Sequence, residues 1–218
     1  MNAAATGRLD HPLFSRLWTF MSAHETEALT RLRRENLAGL SGRVLEIGAG
    51  TGTNFAYYPD EVDQVIAVEP EIRLLAHARE SAAGAPVPVT VTGHTAEELD
   101  DAPAGSEQFD AVVCSLVLCS IDAPNIVVQQ LFSRLKPGGE LRYMEHVASR
   151  GWRGRVQRIA DATLWPRLFG NCHTSRETER TLTAAGFVID GARRTWTMPR
   201  WLPLPVAEFA LGRARKPA

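Results

Sequence analysis

Val44-Leu45-Glu46-Ile47-Gly48-Ala49-Gly50-Thr51-Gly52-Thr53-Asn54 decides the fold. The apolar run Val44 to Ile47 reads as the first strand of an α/β sheet, and the alternating glycines behind it as a strand-to-helix loop at a ligand site. Glycine reaches backbone conformations closed to residues with a Cβ and lets a ligand approach the main chain. Such a loop also offers unpaired N–H groups to an anion or carboxylate. The spacing is G-x-G-x-G, and Thr53 stands where the dinucleotide fingerprint G-x-G-x-x-G places its third glycine. That disfavours NAD and favours a nucleoside ligand without a pyrophosphate.

Downstream, Gln64 to Glu69 is a β-branched run closing on an acid, followed by a helical stretch from Glu71 to Ala82. An acid at the end of a second strand is placed to accept hydrogen bonds from ribose hydroxyls, so Glu69 is the leading nucleoside ligand. Val87 to Thr92 reads as a third strand with His94 to Glu97 in the turn behind it, and Phe109 to Ser115 as a fourth. A helix then opens with Asp122 as N-cap and Pro124 in its first turn and stops at Lys136-Pro137-Gly138-Gly139, before a fifth strand from Glu140 to Val147. Strands alternating with helices indicate a parallel sheet covered on both faces.

Before the glycine loop, Leu13, Phe14, Leu17, Trp18 and Met21 recur at helical spacing, and a second helix is expected from His24 to Leu37. Both fit helices packed on the sheet; the first also fits a lid, with Phe14 and Trp18 against the ligand. From Gly151 to Phe169 the rhythm changes to a helical insertion, and Thr174-x-x-Glu177 reads as a capping box. Residues 151–176 form an expected substrate cover. Phe187 to Ile189, Arg193 to Met198 and Val206 to Gly212 hold the remaining strand candidates, with Pro199, Pro203 and Pro205 confining the last connection to a loop or edge.

The 218 residues, 44% of them hydrophobic and 22% charged, suit one domain spanning 1–218. A net charge of -1 gives no general attraction to nucleic acid or anionic membrane. The 3 cysteines form no C-x-x-C pair, and their odd number argues against a secreted disulfide framework and for a cytoplasmic protein. Met1 to Asp10 lacks the apolar core of a signal peptide, and no run approaches the roughly 20 apolar residues of a membrane span.

Glu46-x-Gly48-x-Gly50-x-Gly52, Glu69, Glu97 and Leu135-Lys136-Pro137-Gly138-Gly139 together resemble the class I S-adenosylmethionine-dependent methyltransferases. Within them the chain is similar to the methyltransferase-like seven group, which includes thiol S-methyltransferases. The closer similarity lies in Gly52-Thr53-Asn54-Phe55-x-Tyr57-Tyr58-Pro59, in Val112 to Ser120, in Met144-Glu145-His146-Val147-Ala148, in Cys172-x-x-Ser175-Arg176-Glu177-Thr178 and in Trp201-Leu202-Pro203. Animal members of the group carry an apolar N-terminal anchor, and no such segment is expected from the stretch Met1 to Asp10.

The resemblance implies a Rossmann-like, mostly parallel sheet of seven strands whose last strand is antiparallel, and S-adenosylmethionine as cofactor, leaving S-adenosylhomocysteine. The methionine portion falls to Glu46, Gly48, Ala49, Gly50, Gly52, Thr53 and Asn54. Glu69 and Pro70 then serve the ribose, Ala96 and Glu97 the adenine, and Cys114, Ser115 and Leu116 the methyl-transfer centre. The sulfonium is already activated, so the protein has to hold the reacting atoms in line and exclude water.

A thiol acceptor reacts as its thiolate, and His146 and His173 are the candidate bases. Phe14, Trp18, Glu145, Asp161, Trp165 and Cys172 are the expected walls of a small-molecule acceptor pocket. Glu145 and His146 are adjacent on a strand, so only one faces the site. Cys114 and Cys119 read as small core residues, and Cys172 beside His173 offers too few ligands for a metal. His11, His24, His77 and His94 read as solvated. An amine, hydroxyl or lipid-headgroup acceptor, or cofactor binding without catalysis, are the alternative readings.

Overall fold

The computed structural model describes residues 9–99, 108–198, 201–202 and 204–218. The polar segment before Leu9, together with Pro199 and Pro203, lies outside the described residues. The elements in chain order are α1 (Pro12–Ala23), α2 (Glu27–Leu37), β1 (Gly42–Ile47), β2 (Val62–Val68), α3 (Ile72–Ala82), β3 (Val89–Thr92), β4 (Phe109–Ser115), α4 (Pro124–Arg134), β5 (Leu135–His146), α5 (Trp152–Asp161), α6 (Trp165–Leu168), α7 (Thr178–Ala184), β6 (Val188–Trp196) and β7 (Glu208–Arg215). The strands form one seven-stranded sheet in the order β3-β2-β1-β4-β5-β7-β6. Only β7 runs antiparallel to its neighbours, as the family resemblance implies.

Strand periodicity sorts the core into two layers. Leu45, Ile47, Ile66, Val68, Val112 and Cys114 point to the face covered by Val127, Val128 and Leu131 of α4 and Leu182 of α7. Val44, Val65, Ala67, Ala111 and Val113 point to the opposite face, under Leu37 of α2 and Ala78 of α3. The chain order reverses between β1 and β4, so the loops leaving the carboxyl ends of these two strands flank a crevice where α/β sheets bind ligands.

Several local expectations are corrected. Helix α2 starts at Glu27 rather than at His24, because the Thr26 hydroxyl accepts the Leu29 N–H and caps it. Asp122 does not cap α4; its carboxylate accepts from Asn171 Nδ2, and Ala123 occupies the cap position. Strand β5 begins at Leu135, inside the expected turn: Leu135 pairs with Phe109, the register slips, and Glu140 resumes opposite Ala111. Gly138, at φ +76, takes up the extra residues of that bulge. Phe187 to Ile189 and Arg193 to Met198 do not give separate strands; one strand, β6, runs from Val188 to Trp196 with a register shift near Gly191, at φ +68. The Thr174 capping box does not form, since the Thr174 N–H and hydroxyl are both donated to Asp161 and Glu177 stands at the cap of α7.

Candidate functional site

The glycine loop is shaped by close packing as well as by turn geometry. Gly48, Gly50 and Gly52 have φ of +64, +60 and +79, a region in which only glycine is free of strain. A Cβ on Gly48 would lie 2.4 Å from Val117 Cγ2, one on Gly50 2.7 Å from the Trp18 indole nitrogen, and one on Gly52 2.7 Å from the Phe55 ring.

Beneath the loop, Glu46 is 1% exposed and accepts hydrogen bonds from Asn54 Nδ2 at 2.7 Å and the Tyr58 hydroxyl at 2.8 Å. Asn54 also donates to Ser115 Oγ, and its carbonyl accepts from Arg33, whose guanidinium is paired with Glu25. Both carboxylate oxygens of Glu46 are therefore engaged by Asn54 and Tyr58, and Asn54 in turn ties the loop to β4 and to α2. Burial raises the Glu46 pKa to about 7, against the lowering effect of the Tyr58 and Asn54 bonds and the Arg33 charge.

At the end of β2, Glu69 is 6% exposed and accepts the Gly50 N–H at 2.7 Å and the Glu71 N–H at 2.9 Å. Burial again raises its pKa to about 7. Pro70 lies beside it, its carbonyl accepting the Leu9 N–H. After β3, Ala96 is buried and Glu97 exposed in a short 3-10 turn whose capping box uses Thr95 and Glu98. His94 departs from the solvated reading: it is half-buried, and its buried Nδ1 has no hydrogen-bond partner among the described residues.

Helix α1 lies against the glycine loop. Phe14 and Trp18 stack at 5.9 Å, with Trp18 against Gly50 and Phe14 against Gly170 of the insertion. Leu13, Leu17, Phe20 and Met21 face outward, so α1 is not packed on the sheet through its whole apolar stripe.

At the carboxyl end of β4, Leu116 has φ +60, an uncommon backbone conformation for a residue with a Cβ. Glu145 of β5 holds the loop that follows, accepting the Val117 and Leu118 N–H groups at 2.9 and 3.0 Å. It is fully buried and is a scaffold of this loop, not the pocket wall expected from sequence. Burial raises its pKa to about 7, opposed chiefly by those two amides.

The loop carries Cys119 toward His146 and Cys172. The two sulfurs are 3.7 Å apart, and His146 Nδ1 lies 4.0 Å from Cys119 Sγ and 3.9 Å from Cys172 Sγ. Cys114 and Cys119 are both buried in the core as expected, and the Cys119 sulfur in addition faces this cluster. The Cys172 thiol is held below the usual range, first by Cys119 and then, against burial, by His146 and the nearby Trp165 indole, while Cys119 is pushed up. His173 enters only through its backbone N–H, donated to the Cys119 carbonyl.

Asp161 is also not a free pocket group. It accepts from the N–H and hydroxyl of both Thr174 and Ser175, fixing the segment that carries Cys172. Trp165 stacks on Phe169 at 4.0 Å, one side of the same insertion.

Three participants escaped the sequence reading. Arg33 and Tyr58 look like ordinary helix and loop residues, and only burial of their polar ends gives them away. Cys119 is hidden by its apolar neighbours; its partners stand 27 and 53 residues away.

A methyltransferase-domain family model matches residues 18–190. Mouse thiol S-methyltransferase TMT1B is 32% identical over 220 residues, spanning 94% of this chain and 83% of the mouse protein. Human thiol S-methyltransferase TMT1A is 32% identical over 178 residues, 77% of this chain and 68% of that protein. In fold, the chain is similar to the N-methyltransferase NodS from Bradyrhizobium japonicum in complex with S-adenosylhomocysteine, with a TM-score of 0.66, 16% identity and coverage of 95% and 100% of the two chains. With the sheet order, the glycine loop at its switch point and these similarities together, the chain belongs to the methyltransferase-domain family and is an S-adenosylmethionine-dependent methyltransferase.

Proposed function

We propose that the whole chain acts as one catalytic domain that methylates a small thiol. The observation that carries this is the 32% identity to a thiol S-methyltransferase over 94% of the chain. The site chemistry supports it. Bound S-adenosylmethionine supplies an activated methyl on a sulfonium, and no group on the protein has to activate the donor.

Gly48 to Asn54 would hold its methionine portion, since the positive-φ glycines bring backbone close to a ligand. Glu69 would hold the ribose hydroxyls: its buried carboxylate already accepts two N–H bonds, and hydroxyl donors can replace or join the one from Gly50. Ala96 and Glu97 would border the adenine. Ser115 and Leu116 would border the transferred methyl, held from below by Asn54. Glu46 would act at one remove, through Asn54 and Tyr58. Trp18 and Phe14 of α1 would close the site and exclude water, with α1 and α2 as its cover.

On the acceptor side, His146 is the favoured candidate to take or hold the thiol proton, being half-buried and turned to two sulfurs. His173 is the weaker candidate, since among the described residues it meets that cluster through its backbone N–H. The test is a panel of small thiols, amines and phenols of matched size, incubated with S-adenosylmethionine, with product masses measured. Methylated thiols are expected; a panel in which only amines or phenols gain a methyl overturns the reading.

A further inference from the structure

Cys119, His146 and Cys172 come from three separate parts of the chain: the loop after β4, the end of β5 and the insertion after α6. Each offers one soft or borderline donor atom, and these atoms lie within 4.8 Å of one another. Two cysteine sulfurs and an imidazole nitrogen are a donor set suited to zinc.

The spacing fits. Zn–S bonds of about 2.3 Å and Zn–N bonds of about 2.0–2.1 Å at tetrahedral angles give edges of about 3.8 Å between sulfurs and about 3.5 Å between sulfur and nitrogen. The observed edges are 3.7 Å for the sulfurs and 3.9 and 4.0 Å to Nδ1. An inward movement of the imidazole by a few tenths of an ångström completes the triangle.

The scaffold around the triangle is built to hold it. Glu145 accepts the N–H groups of Val117 and Leu118 and so fixes the loop bearing Cys119. Asp161, with four hydrogen bonds, fixes the segment beyond Cys172, and the His173 N–H locks that segment to the Cys119 carbonyl at 2.8 Å. His146 is oriented by its edge-on contact with Phe209 at 4.7 Å.

We propose that Cys119, His146 and Cys172 form a zinc site with an open fourth position, at the carboxyl end of the sheet beside the proposed acceptor pocket. Three protein ligands and one open position are the arrangement of reactive rather than closed structural zinc sites. Resting on the thiol reading above, the fourth ligand is the acceptor sulfur. On coordination the acceptor loses its thiol proton to solvent, His146 then serving as a zinc ligand in place of the base role considered above, and the acceptor stays a thiolate at neutral pH. A lone pair of that sulfur then forms the new C–S bond to the methyl, while the C–S bond of the sulfonium breaks with its electron pair retained by the departing S-adenosylhomocysteine sulfur. The thioether product carries no charge and is a weaker ligand, which favours release.

The experiment measures metal on the full-length protein, purified under reductant without chelators. Elemental analysis is expected to give about one zinc per chain, and Co²⁺ in its place a thiolate-to-metal charge-transfer band with the visible bands of a tetrahedral site. Cys119→Ser, Cys172→Ser and His146→Ala are each expected to weaken zinc binding by about tenfold or more in a chelator competition. His173→Ala and His77→Ala are expected to retain it, with S-adenosylhomocysteine binding as the check that each variant is folded. Reduced wild-type protein that takes up no zinc overturns the inference, as does uptake unaffected by the cluster variants. Thiol methylation by a zinc-free protein overturns the metal and leaves the acceptor reading standing; zinc uptake with methylation of amines alone does the reverse.

Discussion

Glu69 Oε2 accepts the backbone N–H of Gly50 at 2.7 Å, joining the end of β2 to the glycine loop. The carboxylate is buried, and its pKa stands at about 7, above the ordinary glutamate value of 4.5. Ribose hydroxyls donate best to the ionised form. Affinity for S-adenosylhomocysteine is therefore expected to rise about tenfold from pH 6 to pH 8 as Glu69 loses its proton, and to level off above that. Glu69→Gln should bind weakly and flatten the slope, and Glu69→Ala should abolish measurable binding. Calorimetry at pH 6, 7 and 8 checks this; a wild-type affinity independent of pH removes Glu69 from direct contact with the nucleoside.

Glu46 links ionisation to stability. Its folded pKa of about 7 exceeds the unfolded value of 4.5, so the contribution is fully present below pH 4.5 and is lost as the pH rises through 7. The ionised form costs about 3 kcal/mol at pH 8 relative to the protonated one. Glu46→Gln keeps an acceptor for Asn54 and carries no charge. Its melting temperature, relative to wild type, is expected to be more favourable at pH 8 than at pH 5, and thermal melts at the two pH values read the difference. An offset that is the same at both would show that Glu46 does not titrate in this window.

These two acids illustrate what could be read in advance. Glu46 and Glu69 stand at fixed offsets from three glycines, and a strand-loop-strand pattern puts both at the carboxyl edge of a sheet. The alternation of strands and helices gives the layers for the same reason: local periodicity reports which face is buried. What local pattern does not carry is which distant group a polar side chain meets. Asp161 and Glu145 looked like pocket residues because they are acids near a site, yet both are spent on backbone N–H groups of loops that tertiary packing brings to them. Thr174 and Glu177 spell a capping box, but Asp161 competes for the threonine and wins with paired backbone and hydroxyl bonds. Cys119 in an apolar run has the signature of a core residue, and its partners are set by long-range closure.

Glu145 makes a prediction about the loop it holds. Removing its carboxylate leaves the Val117 and Leu118 amides without an acceptor in a water-poor environment, at a cost of about 2–4 kcal/mol. For a chain of this size that corresponds to a fall in melting temperature of about 5–10 °C in Glu145→Ala. Glu145→Gln retains one acceptor oxygen and should fall by about half as much. A Glu145→Ala protein as stable as wild type would show that water satisfies these amides and that the carboxylate does not organise the loop.

Trp18 and Gly50 supply a test of the cover. A Cβ at Gly50 meets the Trp18 indole nitrogen at 2.7 Å and would also sit at a φ of +60. Gly50→Ala thus carries two penalties, about 1 kcal/mol for the left-handed backbone and a further cost for displacing the indole. In a Trp18→Ala background only the backbone penalty remains. The double-mutant cycle is therefore expected to show a coupling of about 1 kcal/mol, with Trp18→Ala partly rescuing Gly50→Ala in thermal stability. Trp18→Ala alone should also speed release of S-adenosylhomocysteine, because the loop loses the side chain that covers it. Strictly additive costs in the cycle, with unchanged release, would mean that α1 does not rest on the glycine loop in solution and that the site is closed by the insertion alone.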